Sequence, residues 1–184
     1  MGKNIYIIRH CQAEGQPAES PLTEQGYKQA IDLVAFFSKK KVERIISSPF
    51  LRAIQTIEPL AEKMNLEVVI DQRLSERILS TTQMPDWLER LEETYIDMDL
   101  KFEGGESSQE ATERIVHVVD EILEGEYDNT IVVTHGGIMS LLLKSVDEEF
   151  GFKEWKKLSN PDVFILCFRN NEVTVERLWS EKIV

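Results

Sequence analysis

Asn4-Ile5-Tyr6-Ile7-Ile8-Arg9-His10 is a short apolar run that halts on two residues fit for chemistry. A continuous run of β-branched and aromatic residues suits a strand buried on both faces, the habit of parallel sheets. Two later stretches repeat the design. Val42–Ile46 leads into Ser47-Ser48-Pro49, and Thr130–Thr134 (TIVVT) leads into His135-Gly136-Gly137. Leu66–Ile70 is a further candidate strand.

Helical signals fill the intervals. From Thr23, apolar residues recur at three and four through Ala30, Leu33, Val34 and Phe37. Pro49 suits a first helical turn and predicts a helix running to about Met64. Ser107 with Glu110 has capping-box spacing ahead of Val116, Val119 and Leu123. A helix follows His135 through Leu143, and another is expected around Trp87–Thr94 within the least regular stretch, Leu74–Glu103. Late in the chain, Val163–Phe168 and Glu172–Leu178 flank Arg169-Asn170-Asn171, which reads as a hairpin. Strands alternating with helices predict one α/β domain over residues 1–184. It should be a three-layer α/β/α arrangement with a mostly parallel sheet and a late antiparallel hairpin.

The chain has 184 residues and a formal net charge of −12, from 21 Lys+Arg against 33 Asp+Glu. Its hydrophobic (42%) and charged (29%) fractions are those of a globular protein and exclude a disordered one. An acidic surface repels phosphate backbones, so no nucleic-acid partner is expected. No apolar run approaches the roughly 18–20 residues that span a bilayer, so no membrane partner is expected either. The start MGKNIYIIRH lacks the apolar core of a signal peptide. The two cysteines, Cys11 and Cys167, are too few for a disulfide scaffold, so the expected location is cytoplasmic. Nothing in the sequence assigns an oligomeric state.

In open α/β sheets, ligands sit at the carboxyl ends of the strands. Here those ends deliver Arg9 with His10, Ser47-Ser48-Pro49 with Arg52 in the following helix, and His135 with two glycines. Two of the three histidines and two arginines therefore arrive together. Arginine presents a planar, permanently charged fork that matches phosphate oxygens. A neutral imidazole can attack phosphorus while its other nitrogen donates to a carbonyl. Such transfer needs no metal, because the arginines and imidazole supply the positive potential.

Arg9-His10 with Gln12, Leu22-Thr23-Glu24-Gln25-Gly26 leading to Gln29-Ala30, the block Ser47–Thr56, and Val133-Thr134-His135-Gly136-Gly137 together resemble the histidine phosphatase superfamily, also called phosphoglycerate mutase-like. The motifs stand in family order and span positions 5 to 137. The resemblance implies that His10 is the nucleophile that becomes phosphohistidine. It implies that Arg9, Arg52 and His135 complete the phosphate pocket, and that Glu76, in Leu74-Ser75-Glu76, protonates the leaving alkoxide and later deprotonates water. The chain departs from the family pattern at Cys11, where glycine is usual, at Ala13, where a hydroxyl is usual, and at Gln16, where asparagine is usual. Gln16 keeps an amide able to reach phosphate. A Cys-x5-Arg phosphatase loop would need arginine at position 17, which is Pro17, so Cys11 reads as a small residue near the pocket.

Other features read more plainly. His117 belongs to the surface or boundary of a helix. With no HExxH, no CxxC and no GxGxxG after the first strand, neither metal nor cofactor is expected. Gly104-Gly105 is the turn before a capped helix. Trp87, Leu88, Leu91 and Tyr95 are packing residues or a pocket wall. Arg73 and Arg77, flanking Glu76, are either solvated or hold a second anionic group. Three functions compete: a hydrolase acting as a phosphomonoesterase on a small phosphorylated metabolite, a cofactor-dependent phosphoglycerate mutase, and a non-catalytic phospho-ligand binding or regulatory module. Only the eleven residues Cys11–Pro21 separate His10 from Leu22, whereas the resemblance implies a longer segment there for mutases. That short connection favours water as acceptor. A phosphoprotein target is a variant of the first reading.

Overall fold

The computed structural model describes residues 2–180. Met1 and residues 181–184, the ends of the expected 1–184 domain, lie outside the described residues. Six strands form one sheet: β1 (Lys3–Arg9), β2 (Arg44–Ser47), β3 (Val68–Ile70), β4 (Asn129–Thr134), β5 (Asp162–Arg169) and β6 (Glu172–Arg177), in the order β3-β2-β4-β1-β5-β6. The first four run parallel, while β5 is antiparallel to both β1 and β6. The helices are α1 (Glu24–Phe37), α2 (Leu51–Met64), α3 (Trp87–Ile96), α4 (Ser108–Glu124), α5 (Gly136–Val146) and α6 (Phe152–Lys156).

Chain direction explains the layers. From β1 through α1 to β2, and through α2 to β3, the chain steps outward across the sheet; it then returns to insert β4 beside β1. Right-handed crossovers put helices on one face during the outward steps and on the other during the return. Accordingly α1 and α2 pack together on one face, and α4 and α5 on the other. The strands serve both layers by alternation. Ile5, Ile7, Val132, Phe164 and Leu166 join the α4–α5 core, whereas Tyr6, Ile8, Ile131, Val133 and Val163 join the α1–α2 core.

Local chemistry fixes the element ends. Thr23 caps α1 by accepting from the Gly26 N–H at 2.9 Å, and Ser107 and Glu110 form the expected reciprocal box at the start of α4. Asn170 (φ 51°) and Asn171 (φ 64°) are both left-handed, as a two-residue hairpin turn requires. Differences from the sequence reading are small. The helix expected from Pro49 begins at Leu51, because Ser48-Pro49-Phe50 turns first, with the Phe50 N–H donating to Ser48 Oγ. Asn65 closes α2 in a left-handed conformation (φ 54°), and the Leu66 N–H still donates to Ala61 O, so β3 starts only at Val68. A 3-10 turn at Gln72–Leu74 and the five-residue α6 were not anticipated; both are too short to show periodicity.

Candidate active site

The parallel register places Arg9 opposite Thr134 and Ser47 opposite Val133, so three strands end at one level. His10 lies one residue past β1, and its N–H still bonds Thr134 O at 3.1 Å. Its ring Nδ1 stands 2.7 Å from the carbonyl oxygen of Cys11. A carbonyl only accepts, so Nδ1 carries the proton and Nε2 keeps a lone pair. Arg52 Nε donates to that Nε2 at 3.3 Å. Desolvation holds the His10 pKa down at about 4; the Cys11 bond opposes the shift, and Arg52 and Arg9 add to it. The imidazole is neutral at neutral pH.

Arg52 projects from the first turn of α2 and is only 2% exposed. Its Nη1 donates to the carbonyls of Gln16 and Pro17, both at 2.9 Å, and its guanidinium lies 5.0 Å from the Phe50 ring centre. Arg9 Nη1 donates to Leu158 O at 3.2 Å, while Arg9 Nε is buried without a partner among the described residues. Neither guanidinium forms a salt bridge among the described residues; Glu76 acts on both at longer range. Buried charge left unpaired is costly, and an anion bound between the two arginines relieves that cost.

His135, at the carboxyl end of β4, is fully buried, with its ring centre 5.2 Å from that of His10. Desolvation first, then His10, Arg52 and Arg9, push its pKa well below the ordinary value. The two glycines that follow have separate geometric reasons. A Cβ on Gly136 would come within 2.8 Å of Arg9 Nε, and one on Gly137 within 2.6 Å of Glu76 Oε1. Glu76 is seated on the start of α5: Oε2 accepts from Gly137 N at 3.0 Å, and Oε1 from Ile138 N at 2.8 Å and Arg77 N at 2.7 Å. Glu76 thus joins the cluster from the opposite core layer.

Comparison with known proteins gives the family of this fold. The model of the histidine phosphatase superfamily (branch 1) matches residues 5–181. The chain belongs to this superfamily. Phosphoserine phosphatase 1 of Hydrogenobacter thermophilus is 27% identical over 144 residues, covering 70% of this chain and 68% of that one. The Proteus mirabilis protein named "Probable phosphoglycerate mutase GpmB" is 30% identical over 162 residues, covering 77% and 74%. The Entamoeba histolytica phosphoserine phosphatase, solved with 3-phosphoglyceric acid, shares the fold with a TM-score of 0.81. It is 18% identical and covers 99% of this chain and 100% of that one.

Within this histidine phosphatase fold, other candidate residues fall in different places. Gln16 is exposed, and its contact with the cluster is the carbonyl that holds Arg52 rather than its amide. Cys11 is buried, its thiol pushed up to about 12 chiefly by desolvation, and its N–H donates to Thr56 Oγ1 at 2.8 Å. Ala13 bridges to Leu22 and closes the loop after His10. Arg73 is neither free nor facing a ligand, because Asp71 and Glu121 both engage it at 2.7 Å. Arg77 turns inward to Thr94 Oγ1, Ser108 Oγ and Glu106 O. The α3 residues divide: Leu91 and Tyr95 are core, whereas Trp87 and Leu88 are exposed. His117 is exposed on α4. Among the described residues, no three His, Cys, Asp or Glu side chains group as metal ligands.

Three supporting contacts escaped the sequence reading. Arg114 donates to the carbonyls of Arg73 (2.6 Å) and Ser75 (2.8 Å) and pairs with Glu106 at 2.7 Å, which fixes the backbone leading to Glu76. Asn160 Nδ2 donates to His10 O at 2.9 Å. Ser48 Oγ lies 2.8 Å from His135 Nε2. Only Ser48 stood inside a quoted motif; Arg114 and Asn160 carry no local signal. No helix among the described residues is long and apolar enough to cross a membrane.

Proposed function

We propose that the protein is a phosphomonoesterase acting through phosphohistidine on a small phosphorylated metabolite, with no metal or cofactor in the reaction. One observation carries this reading: a neutral His10 with Nδ1 tied to a carbonyl and a proton-free Nε2 that accepts from Arg52, in a cluster whose arginines Arg9 and Arg52 form no salt bridge among the described residues. A monoester phosphate binds between Arg9 and Arg52, with His135 as a further donor. His10 Nε2 attacks phosphorus, and the phosphorus–oxygen ester bond breaks as Glu76 hands its proton to the leaving alkoxide. Water then attacks phosphohistidine, Glu76 takes a proton from it, and the nitrogen–phosphorus bond breaks. Inorganic phosphate leaves and both side chains are regenerated.

Phosphatase names among the relatives support hydrolysis, and mutase names raise the main competitor. A mutase must hold a carboxylate or second phosphate as well as the transferred group. The cations nearest Glu76 in sequence, Arg73 and Arg77, are committed to protein partners, as is Arg114. That favours a monoester with water as acceptor. A binding module would have no use for a proton-free nucleophile with a carboxylate seated nearby. The cytosol is the compartment this reading assigns, where the free thiols Cys11 and Cys167 stay reduced.

The deciding experiment is hydrolysis of p-nitrophenyl phosphate and phosphoserine from pH 5 to 8 in excess EDTA, beside phosphoglycerate mutase activity, with His10→Ala in parallel. EDTA-resistant hydrolysis lost in the variant is expected. Hydrolysis that survives His10→Ala, or mutase turnover exceeding hydrolysis, overturns the reading.

A further inference from the structure

We propose that Ser48 is a positioning residue: its hydroxyl donates to His135 Nε2, so that the His135 proton sits on Nδ1 and faces the bound oxyanion. The inference rests on the phosphatase reading for its ligand, and on hydrogen-bond geometry for its tautomer.

Ser48 is fully buried, and its hydroxyl has two described neighbours. The Phe50 N–H can only donate, so Ser48 Oγ is the acceptor in their 3.2 Å contact. The second neighbour is His135 Nε2 at 2.8 Å. If Nε2–H donated to Ser48, the serine proton would be left without a described acceptor inside a buried site, which costs more than one hydrogen bond gains. If Ser48 donates to Nε2, the serine proton and Nε2 are both satisfied, one orphan fewer than in the other arrangement, and the ring proton must sit on Nδ1.

The orphaned atom is the one that this choice leaves to a ligand. His135 Nδ1 is buried without a partner among the described residues, on a side chain with no exposure at all. After desolvation, the charged and titratable groups acting most on the ring are His10, Arg52 and Arg9, members of the phosphate pocket, with Arg114 adding less; the Phe50 ring packs against it at 4.7 Å. An N–H there attracts an oxyanion, whereas a lone pair would repel it. The pocket thus keeps both imidazoles in one tautomer and uses opposite edges. The Cys11 carbonyl takes Nδ1–H of His10 and keeps Nε2 proton-free, where it accepts from Arg52; Ser48 donates to Nε2 of His135 and leaves Nδ1–H for donation.

The test uses the full chain with 15N-labelled histidine, reading His135 by long-range 15N–1H correlation, together with inorganic phosphate titrations and p-nitrophenyl phosphate kinetics. The wild type is expected to show Nδ1–H on His135. Ser48→Ala should mix in the other tautomer and weaken both phosphate affinity and kcat/KM about tenfold. Ser48→Thr, which keeps the hydroxyl, should restore the tautomer. On a His135→Ala background, Ser48→Ala should cost less than about twofold more, because its effect runs through the imidazole. An Nε2–H tautomer in the wild type, or an equal Ser48→Ala loss without His135, overturns the proposal. If Ser48→Ala does not fold, the wild-type and Ser48→Thr spectra still decide. Failure of the phosphatase reading looks different: ester hydrolysis is absent while the Nδ1–H tautomer stands.

Discussion

Two sets of arginines stand on either side of Glu76, and they are treated in opposite ways. Arg73 and Arg114 hold carboxylates and carbonyls at 2.6–2.8 Å: Arg73 has Asp71 and Glu121, while Arg114 has Glu106, Arg73 O and Ser75 O. Arg9 and Arg52 hydrogen-bond backbone carbonyls and the His10 ring, Arg52 also lies over the Phe50 ring, and among the described residues no carboxylate answers their charge at close range. On the phosphatase reading, the saturated arginines build a frame and the unsaturated ones receive the anion. The difference between these two sets is one of free valence; Arg77, buried with an unpartnered Nε and no carboxylate bond, shows that an unpaired guanidinium marks a candidate site only where it meets the strand-end histidines.

His10→Ala should break this contrast most visibly. Turnover on p-nitrophenyl phosphate is expected to fall at least about 10⁴-fold, because no phosphohistidine forms. The thermal midpoint should change little, since the ring's removal also relieves a desolvated imidazole. Residual turnover within about tenfold of the wild type would remove His10 from the chemistry.

Gly137→Ala comes next. Its Cβ would fall 2.6 Å from Glu76 Oε1 and lift the carboxylate off α5. Lost acid–base help is worth roughly 10²–10⁴ in rate. That loss should appear with an alkyl phosphate and shrink with p-nitrophenyl phosphate, whose leaving group scarcely needs a proton. Glu76→Gln should show the same split. Equal losses on both esters would mean that Glu76 is not the acid.

Much of this was legible in sequence, and what was not shares one cause. The grouping of Arg9, His10, Arg52 and His135 was legible because a strand that stops in an α/β fold delivers its next residues to one edge of the sheet. The capping box at Ser107 and the Asn170-Asn171 turn were readable because their chemistry is local. The fates of Arg73 and Arg77 were not. Arg73 meets Glu121 across 48 positions and Arg77 meets Ser108 across 31, so only the assembled packing decides which guanidinium is saturated. The contact that Gln16 makes with Arg52 was not legible for a related reason, since it runs through the backbone, to which side-chain type is blind.

Acidity sharpens the contrast at a smaller scale. His10 in the fold gives up its proton near 4, against an ordinary value of 6.5 in an unfolded chain. Between those values the unfolded chain binds more protons, so stability falls as pH drops from 6.5 toward 4. The full shift corresponds to a loss on the order of 3 kcal/mol, and His135 shifts in the same direction. Thermal midpoints measured from pH 7 to 4 should decline, and His10→Gln, which cannot titrate, should flatten the curve. A wild-type curve parallel to that of His10→Gln would show that burial of this ring carries no such penalty.

The smallest effect tests the comparison itself. Replacing a buried unpaired charge by an apolar side chain of similar length is commonly neutral or stabilising, whereas breaking a satisfied one is not. Arg9→Met should therefore leave the ligand-free thermal midpoint nearly unchanged and abolish the upward shift that inorganic phosphate gives the wild type. That shift is worth about 2.7 kcal/mol at a hundredfold excess over Kd. Arg114→Met should do the reverse: it leaves Glu106 with only the Ile78 N–H and frees three carbonyls at a cost of about 2 kcal/mol, with the phosphate-induced shift retained. If both variants lose the same stability and the same phosphate response, free valence is not what distinguishes the two sets. The pocket arginines would then be as structural as their neighbours.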